Sequence, residues 1–192
     1  MIRPTCNPGR STGDTFEGLP LVDFGSITRS FPPEENVGFV ALSYAKMNRV
    51  RAEKFAAMRE VGYELVSYVS SRCSFLATHA VGANCFILED NTIQPFVRIG
   101  DNVTLWSGNH IGHDSVIEDH CFITSHVVVS GNCRIGAYCF LGVNATLRNG
   151  LTLGEATLVG GGTTLMKDTA ERSVYVPPRA VLLKRRSDEI DL

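Results

Sequence analysis

The feature that most constrains this 192-residue chain is a six-residue repeat of large apolar residues between positions 69 and 165. The seventeen consecutive repeat positions are Val69, Phe75, Val81, Ile87, Ile93, Ile99, Leu105, Ile111, Ile117, Ile123, Val129, Ile135, Leu141, Leu147, Leu153, Val159 and Leu165. A period of six fits neither the 3.6-residue period of a helix nor the simple alternation of a strand. Such regular self-similarity is typical of a repeat architecture. The sequence therefore predicts a β-solenoid in which three hexads close one coil.

Two other places in the hexad support this prediction. The residue four places after the apolar one is small or narrow in most repeats, which predicts that it also points inward. Five of the six cysteines take this place, where Cys acts as a compact apolar residue, so we expect neither a disulfide nor a metal site. Cys121 and Cys139 would stack on adjacent coils and are expected to stay reduced.

Gly follows the apolar residue in seven hexads, and we predict that it supplies backbone freedom at tight corners.

The pattern [Ile/Leu/Val]-Gly-x-x-[small]-x resembles the hexapeptide repeats of the left-handed β-helix acyltransferases. The likeness is to the sialic-acid-biosynthesis type of sugar O- or N-acetyltransferase, and it covers about half of the chain. It implies a mainly β fold, a left-handed parallel β-helix preceded by a small, truncated α/β (Rossmann-like) fragment. The handedness comes from the resemblance alone, because parallel crossovers are usually right-handed.

The chain is expected to have three segments. Residues 1–68 form the truncated α/β fragment, residues 69–170 the β-helix acyltransferase domain, and residues 171–192 a C-terminal loop with a short helix. The last assignment follows from the resemblance of residues 176–180 to the exit loop of the family.

A strand, a helix and a second strand are predicted before the repeats. Residues 37–42 form an apolar run, residues 44–61 carry apolar side chains at helical spacing before Gly62, and residues 64–69 resemble a strand again. This order suggests a βαβ unit. Residues 1–36 are rich in Pro, Gly, Ser and Thr and are expected to be loop with at most one strand.

The segment before the repeats departs from the family in one respect. The family's Rossmann-like domain opens with a Gly-rich turn that helps to hold the nucleotide of a nucleotide-linked sugar. This chain has no G-x-G-x-x-G or comparable turn before the solenoid. Either the first βα unit has been lost, or other elements hold the nucleotide, or residues 1–68 serve only as a lid and support for the solenoid.

Charge and hydropathy argue against several classes of partner. A formal charge of −2 offers no general attraction to nucleic acid or to an anionic membrane. The longest apolar run is far too short for a membrane span, and the start of the chain lacks the apolar core of a signal peptide. We therefore expect a cytoplasmic protein with no nucleic-acid or membrane partner.

Acyl transfer from a thioester requires a base that takes a proton from the acceptor. Histidine is the usual base, and the chain has five: His79, His110, His113, His120 and His126. His79 takes an inward hexad place and is expected to be a packed structural residue. His120 would stack with Asn102 and Tyr138, one coil away on either side, on a solvated face.

His113 is the predicted catalytic base. It takes an outward place, and the positions one coil below and above it are Pro95 and Gly131, which leave room for a substrate. The adjacent Asp114 could fix the tautomer of the imidazole. Residues 112–119 resemble the catalytic segment of the family, which implies that His113 is the general base and Asp114 its helper.

The remaining polar candidates are assigned to the substrate. His110, His126 and Asn109 are expected on the side of the acceptor or of the thioester, although either histidine could equally make surface or intersubunit hydrogen bonds. Asn91 and Asn109 also take inward places 18 residues apart, which suggests a buried amide ladder.

Two glycine-containing runs are the predicted binding site for the acyl donor. Gly142 and Val143 lie one coil before Gly160 and Gly161, so the runs would form adjacent rungs of a groove. The glycines could instead simply turn corners. Their order after His113 resembles the family, which implies that acetyl-CoA, as co-substrate, lies along these later coils and that no metal is needed.

The resemblance implies an acetyl-CoA-dependent acetyltransferase that acts on an amino group or hydroxyl of a nucleotide-linked sugar, for surface polysaccharide synthesis. The resemblance also implies a homotrimer with shared active sites. Outward aromatic residues need a partner surface: Phe86, Phe96, Trp106, Phe122 and Phe140. The alternatives are a non-catalytic β-helix scaffold and a γ-carbonic-anhydrase-like protein, although the histidine spacing does not resemble the latter family. The acceptor sugar, N- or O-transfer, and acetyl or formyl donor stay open.

Overall fold

A computed structural model describes residues 15–16, 18–184 and 186–190. Within them, the repeats form a parallel β-solenoid of about six turns, which confirms the predicted fold class and is consistent with a left-handed β-helix. Of the loop predicted at residues 1–36, positions 1–14 lie outside the described residues.

The solenoid has three faces, each a stack of two-residue parallel strands. Face 1 consists of Tyr68–Val69, Phe86–Ile87, Thr104–Leu105, Phe122–Ile123, Phe140–Leu141, Leu158–Val159 and Val174–Tyr175. Face 2 consists of Ser74–Phe75, Thr92–Ile93, His110–Ile111, Val128–Val129, Thr146–Leu147 and Thr164–Leu165. Face 3 consists of Arg98–Ile99, Val116–Ile117, Arg134–Ile135 and Thr152–Leu153.

Four-residue corners join the faces, and we name each corner by the two faces that it joins. The 2/3 corner contains residues 94–97, 112–115, 130–133 and 148–151. The 3/1 corner contains residues 100–103, 118–121, 136–139 and 154–157. The 1/2 corner contains residues 70–73, 88–91, 106–109, 124–127, 142–145 and 160–163. Equivalent residues of adjacent coils pair in register, as Ile111 does with Ile93 and Val129.

The interior of the solenoid is built as the hexad predicts. From Ile87 to Leu165 the repeat positions are buried, and so are four of the inward cysteines: Cys85, Cys121, Cys133 and Cys139. All five described cysteines are free, with no disulfide among them. The first coil is the exception. His79 is exposed in a stretch without regular structure, so the prediction of a packed His79 is wrong.

The corner glycines have a different role from the predicted one. The left-handed backbone conformation falls three places after the apolar residue, at positions such as Asp114 (φ 57°) and Asn132 (φ 58°). Gly112 and Gly142, directly after the apolar residue, do not have positive φ. A Cβ on Gly112 would lie 2.4 Å from the backbone nitrogen of Gly131 on the next coil. These glycines therefore permit close approach of the coils rather than an unusual turn.

The segment before the solenoid contains the predicted βαβ unit. Strand Val37–Gly38 pairs in parallel with strand Glu64–Leu65, and helix Arg49–Glu60 lies between them in sequence. The helix begins later than the sequence predicts, because Asn48 and the two residues before it adopt left-handed conformations. It ends before Gly62, whose φ of 95° confirms the predicted stop. The remaining elements are an antiparallel pair, Thr15–Phe16 with Leu19–Pro20, and the short helical turns Phe24–Ser26, Ile27–Ser30 and Ser187–Glu189.

This segment covers face 1. Three of the aromatic residues predicted to point outward lie on that face: Phe86, Phe122 and Phe140. The ring of Phe39 lies 5.7 Å from that of Phe86, and the ring of Tyr44 lies 5.1 Å from Phe122 and 5.0 Å from Phe140. The prediction that these three aromatics need a partner copy is therefore wrong, whereas Phe96 and Trp106 stay exposed.

Candidate active site

His113 lies on the 2/3 corner, with its imidazole over the backbone of the next coil. Its backbone N–H donates to Gln94 Oε1 at 2.9 Å, which fixes the corner from below. A Cβ on Gly131 would lie only 2.7 Å from His113 Nε2, so the ring occupies the space that this glycine leaves. The His113 side chain is 52% exposed, and a substrate can reach it.

Asp114 is the hydrogen-bond partner of His113, as the sequence predicts. Asp114 Oδ2 lies 2.8 Å from His113 Nδ1. The left-handed conformation of Asp114 turns its side chain back beside the preceding residue, and its N–H donates to the carbonyl of Pro95 at 3.2 Å. An ionised carboxylate only accepts, so Nδ1 carries the proton and Nε2 keeps a free lone pair. The pair is therefore arranged as a base whose open nitrogen lies above Gly131, on a half-exposed side chain.

Two residues near His113 were missed by the sequence analysis. Gln94 supports the corner, and Asn149 lies on the far side of Gly131, with its Oδ1 3.1 Å from the same Cβ point. Asn149 is two coils after His113. Extending the 18-residue spacing by a second coil would have revealed it.

Asn109 is buried and does not face solvent. It is 2% exposed, its Oδ1 accepts from Val127 N at 2.8 Å, and its amide nitrogen donates to the carbonyl of Trp106. Asn91 Oδ1 accepts from Asn109 N at 3.2 Å, so the two amides form the buried ladder that their spacing predicts. Asn109 is left out of the proposed acceptor site because all of these hydrogen bonds hold the coil together.

The other two substrate candidates, His110 and His126, lie outside the 2/3 corner that carries His113. His110 is half-buried on face 2, paired with Thr92 and Val128. His126 is exposed on the 1/2 corner, where a Cβ on Gly108 would lie 2.6 Å from its Nδ1. His126 and His113 thus each pack an imidazole ring over a glycine of an adjacent coil, on two different corners.

The two glycine runs form adjacent rungs on the 1/2 corner. A Cβ on Gly142 would lie 2.4 Å from the nitrogen of Gly161, and Gly162 N donates to the carbonyl of Val143 at 2.8 Å. The N–H groups of Gly142 and Gly160 also donate between coils. The two runs therefore form one continuous surface, but at these positions its donors already hold the coils together. Its surface instead offers the 47% exposed side chain of Val143.

Face 2 separates this groove from His113 within the chain. One hexad of six extended residues spans about 20 Å at most. The structure thus brings His113 and Asp114 together, and separately brings the glycine runs and His126 together.

His120 is part of a covered network and not of a solvated face, so that prediction is wrong. Its Nδ1 lies 2.9 Å from Asn102 Nδ2, and its ring lies 4.8 Å from Tyr138 and 5.7 Å from Phe55 of helix Arg49–Glu60. Burial lowers the pKa of His120, and the nearby Arg51 guanidinium lowers it further, against the opposite effect of Asp119. His120 is therefore a structural residue whose burial disfavours the protonated form.

Arg51 attaches the helix to the solenoid. It is 1% exposed, and its Nη2 donates to the carbonyls of Asn102, His120 and Cys121 at 3.0–3.1 Å. Desolvation lowers its pKa to about 10. An arginine that caps the carbonyls of two adjacent coils fixes the N-terminal segment over the 3/1 corner.

Two findings apply to the described part of the chain. No helix in it is long and apolar enough to cross a bilayer. No group of three or more His, Cys, Asp or Glu side chains in it is arranged to hold a metal ion.

Comparison with known proteins supports the repeat assignment. Residues 96–131 match the family "Bacterial transferase hexapeptide (six repeats)", and residues 132–167 match "Hexapeptide repeat of succinyl-transferase". An acyl-[acyl-carrier-protein]–UDP-N-acetylglucosamine O-acyltransferase of Campylobacter concisus is 28% identical over 71 residues, which is 37% of this chain and 27% of that protein. The chain thus matches about a quarter of the length of such curated relatives.

Solved structures match over most of the chain. The acetyltransferase domain of PglB from Neisseria gonorrhoeae, in complex with acetyl coenzyme A, has a TM-score of 0.78 at 21% identity and covers 88% of this chain and 81% of its own. PerB from Caulobacter crescentus, in complex with CoA and GDP-perosamine, has a TM-score of 0.77 at 23% identity, with 85% and 78% covered. At identities of 21% and 23%, the likeness establishes that the fold is shared and nothing more. Residues 96–167 thus match two hexapeptide-repeat models of transferases, and the chain shares its fold with solved sugar acetyltransferases.

Proposed function

We propose that this protein is an acetyl-CoA-dependent acetyltransferase that acts on an amino group or hydroxyl of a nucleotide-linked sugar, with His113 as the general base. The observation that carries the proposal is the 2.8 Å contact between His113 Nδ1 and Asp114 Oδ2, which leaves Nε2 open above Gly131. The acetyl-CoA and nucleotide-sugar complexes of the structural neighbours support the choice of substrates.

The chemistry at His113 follows from this geometry. Nε2 takes the proton of the acceptor while the acceptor atom attacks the thioester carbonyl carbon. The bond to the acceptor forms, the carbon–sulfur bond breaks, and the proton passes from His113 to the departing thiolate. Asp114 holds the imidazole in the required tautomer and faces the imidazolium that forms. No further redox or metal chemistry is required by this balance.

Acetyl-CoA is proposed to lie along the groove that contains Gly142, Val143, Gly160 and Gly161. Because this groove and His113 are on different corners of one chain, we place the complete site between two copies, with His113 from one and the groove from its partner. His126 would then contact the thioester or the acceptor, and His110, on the face between them, would line the same interface. A homotrimer closes this arrangement with three equivalent sites.

The segments have separate tasks in this proposal. Residues 69–170 supply the base and the donor groove, residues 37–65 cover face 1 and approach the acceptor, and strand Val174–Tyr175 closes the last coil. Since acetyl-CoA is a cytoplasmic metabolite, the reaction is assigned to the cytoplasm. The acceptor belongs to surface polysaccharide synthesis.

A CoA titration followed by an acceptor panel tests the proposal. Isothermal titration with CoA should show saturable binding, and thiol release from acetyl-CoA should require a nucleotide-linked amino or hydroxyl sugar. His113→Ala should still bind CoA but should lose about 10²- to 10⁴-fold in turnover. A protein that binds no CoA and acetylates no sugar would instead be a non-catalytic β-helix scaffold.

Mixing of variants tests the shared site. His113→Ala and Gly161→Trp, each inactive alone, should regain activity when unfolded and refolded together, because a mixed trimer contains sites built from two intact surfaces. Two copies of the same variant, refolded identically, are the control. If the mixture stays as inactive as its parts while mixed trimers form, the site lies within one chain.

A further inference from the structure

Phe96 lies on the 2/3 corner, one coil before Asp114. The carbonyl of Pro95 accepts a hydrogen bond from the N–H of Asp114 at 3.2 Å, so the two coils are in direct contact at this corner. Phe96 is 58% exposed, although a phenyl ring is stabilised by burial. An apolar ring is therefore presented at the surface beside the pair of His113 and Asp114.

The backbone of Phe96 adopts the left-handed conformation, with a φ of 64°. Glycine, asparagine and aspartate enter this region readily, whereas a bulky residue is strained there. Asparagine takes the same hexad place in several other repeats: Asn84, Asn102, Asn132 and Asn144. A half-exposed phenylalanine gains little burial to offset this strain. Strained residues of this kind cluster at functional sites.

Three other aromatic rings occupy the same hexad place, and each has a partner. His120 and Tyr138 lie against each other, with their ring centres 4.8 Å apart, and His126 packs over Gly108. Within the part of the chain that the structure describes, no aromatic ring packs against Phe96. One face of Phe96 is therefore available to a ligand.

The acceptor is the reactant that can reach this ring. The proposed donor groove runs from Gly142 to Gly161, on coils that follow His113, so the coils before His113 are left for the acceptor. The edge of the His113 ring that contains Nε2 and Cε1 lies over Gly131 on the following coil. Phe96 belongs to the preceding coil. Because adjacent coils are about 4.8 Å apart, the base and the phenyl ring are separated by about 10 Å along the solenoid axis.

A sugar ring fits this interval. Its reacting atom lies about 2.9 Å from the base when the two are hydrogen-bonded, and packed rings have their centres roughly 4.5–7 Å apart. Together with the half-width of the sugar ring, these two contacts span about 10 Å. An acceptor held at both points presents its reacting atom to His113.

We infer that Phe96 binds the apolar face of the acceptor sugar and thereby orients the acceptor toward His113. This inference rests on the proposed function and adds a substrate-binding residue to it. The C–H groups on one face of a sugar ring form an apolar surface, and a phenyl ring removes that surface from water. The contact involves neither a charge nor a hydrogen bond, so it serves an amine acceptor and a hydroxyl acceptor alike.

The test replaces Phe96 by the residue type that other repeats have at this place. The probe is the nucleotide-linked sugar with the highest thiol release in the acceptor panel, which begins with GDP-perosamine. Phe96→Asn should raise the KM for this sugar about threefold to tenfold, the worth of one aromatic contact. It should leave kcat and the KM for acetyl-CoA unchanged. The thermal midpoint should not fall, because asparagine tolerates the left-handed conformation.

Two further variants separate binding from structure. Phe96→Tyr keeps the aromatic face and should retain the KM of the wild type for the sugar. Ala156→Asn is the matched control, because Ala156 takes the same hexad place on the 3/1 corner with a φ of 55°. It should leave both KM values unchanged.

The outcomes distinguish this inference from the proposed function. An unchanged KM for the sugar in Phe96→Asn, or a raised KM for acetyl-CoA, would refute the role of Phe96 while acetyl transfer stands. A smaller oligomer of Phe96→Asn in size-exclusion chromatography would place the ring between copies of the chain, and a lower thermal midpoint would place it in the packing of its own chain. Either result would also refute the inference. No acetylation of any sugar by the wild type, with no CoA binding, would overturn the proposed function and the inference together.

Discussion

His113 and His120 are seven residues apart, each beside an aspartate, yet they have opposite environments. His113 projects from the open 2/3 corner and binds Asp114 at 2.8 Å. His120 lies on the 3/1 corner under helix Arg49–Glu60, bonded to Asn102 and stacked on Tyr138. The hexad place therefore sets the direction of a side chain, whereas the segment packed over a corner determines whether a substrate can reach that side chain.

The largest expected effect is a loss of activity when His113 is replaced, with no such loss when His120 is replaced. His113→Ala should lower acetyl transfer about 10²- to 10⁴-fold, because the base is lost, and should leave the thermal midpoint nearly unchanged. His120→Gln should do the reverse, with full turnover and a lower midpoint. Thiol release and thermal denaturation measure the two properties. Comparable turnover in both variants would remove the functional distinction between the corners.

Two glycines of the 2/3 corner should also differ. Gly112→Ala places a Cβ 2.4 Å from the backbone nitrogen of Gly131, so the coils must separate, at a cost of about 1–3 kcal/mol. Gly131→Ala meets the ring of His113 and, at 3.1 Å, Asn149 Oδ1, and both of these side chains can move away, so activity should fall with little loss of stability. Urea denaturation and initial rates test both. A more stable Gly112→Ala protein would contradict the close approach of the coils.

The cover of the 3/1 corner can be weakened at Arg51. Arg51→Met removes the donor to three carbonyls and should lower the free energy of unfolding by about 1–3 kcal/mol. Arg49→Met is the control on the same helix. Arg49 is exposed and lies over the ring of Tyr138, so its loss should cost less than about 1 kcal/mol. Equal costs in urea denaturation would mean that Arg51 does not fix the helix.

The two aspartates provide a finer comparison. Asp114→Asn should lower acetyl transfer by less than His113→Ala does, because the base remains but its imidazolium loses a facing charge. Asp119→Asn should leave the rate unchanged, since Asp119 accepts a hydrogen bond from the backbone of Asp101 and an amide oxygen can do the same. Wild-type turnover in Asp114→Asn would argue against its supporting role.

The smallest effect concerns pH. The pKa of His120 is lowered from 6.5 in the folded protein, chiefly by burial, so the unfolded chain binds the proton first as the pH falls. The contribution of His120 to the free energy of unfolding should therefore be fully present above pH 6.5 and should decrease as the pH falls below that value. The groups nearest to this proton are Arg51 and the carboxylates Asp101 and Asp119. His120→Gln should flatten the decline of the thermal midpoint between pH 7 and 5.

Much of the fold could be predicted because the hexad is local and repeats. Each strand contributes two residues, so the apolar position and the small position determine what lies inside without any knowledge of distant contacts. The pairing of His113 with Asp114 was predictable for the same reason. His79 was placed incorrectly because the first coil does not complete its strands, and the spacing alone does not reveal where regular pairing begins.

The contacts between the N-terminal segment and the solenoid could not be predicted. They join residues far apart in sequence, such as Asn48 with the carbonyl of Tyr138 and Arg51 with that of Cys121. No period relates these positions. The sequence analysis therefore predicted that His120 lies on a solvated face and that the aromatic residues of face 1 need a partner copy.

The sequence by itself determined the solenoid, its buried cysteines and the His113–Asp114 pair, since each depends on neighbours one hexad or one coil away. Only the tertiary structure decided that helix Arg49–Glu60 covers one corner, that face 2 separates His113 from the glycine groove, and that Asn149 faces His113 across Gly131. Those outcomes depend on how whole segments pack, and packing between segments has no local signature in the chain.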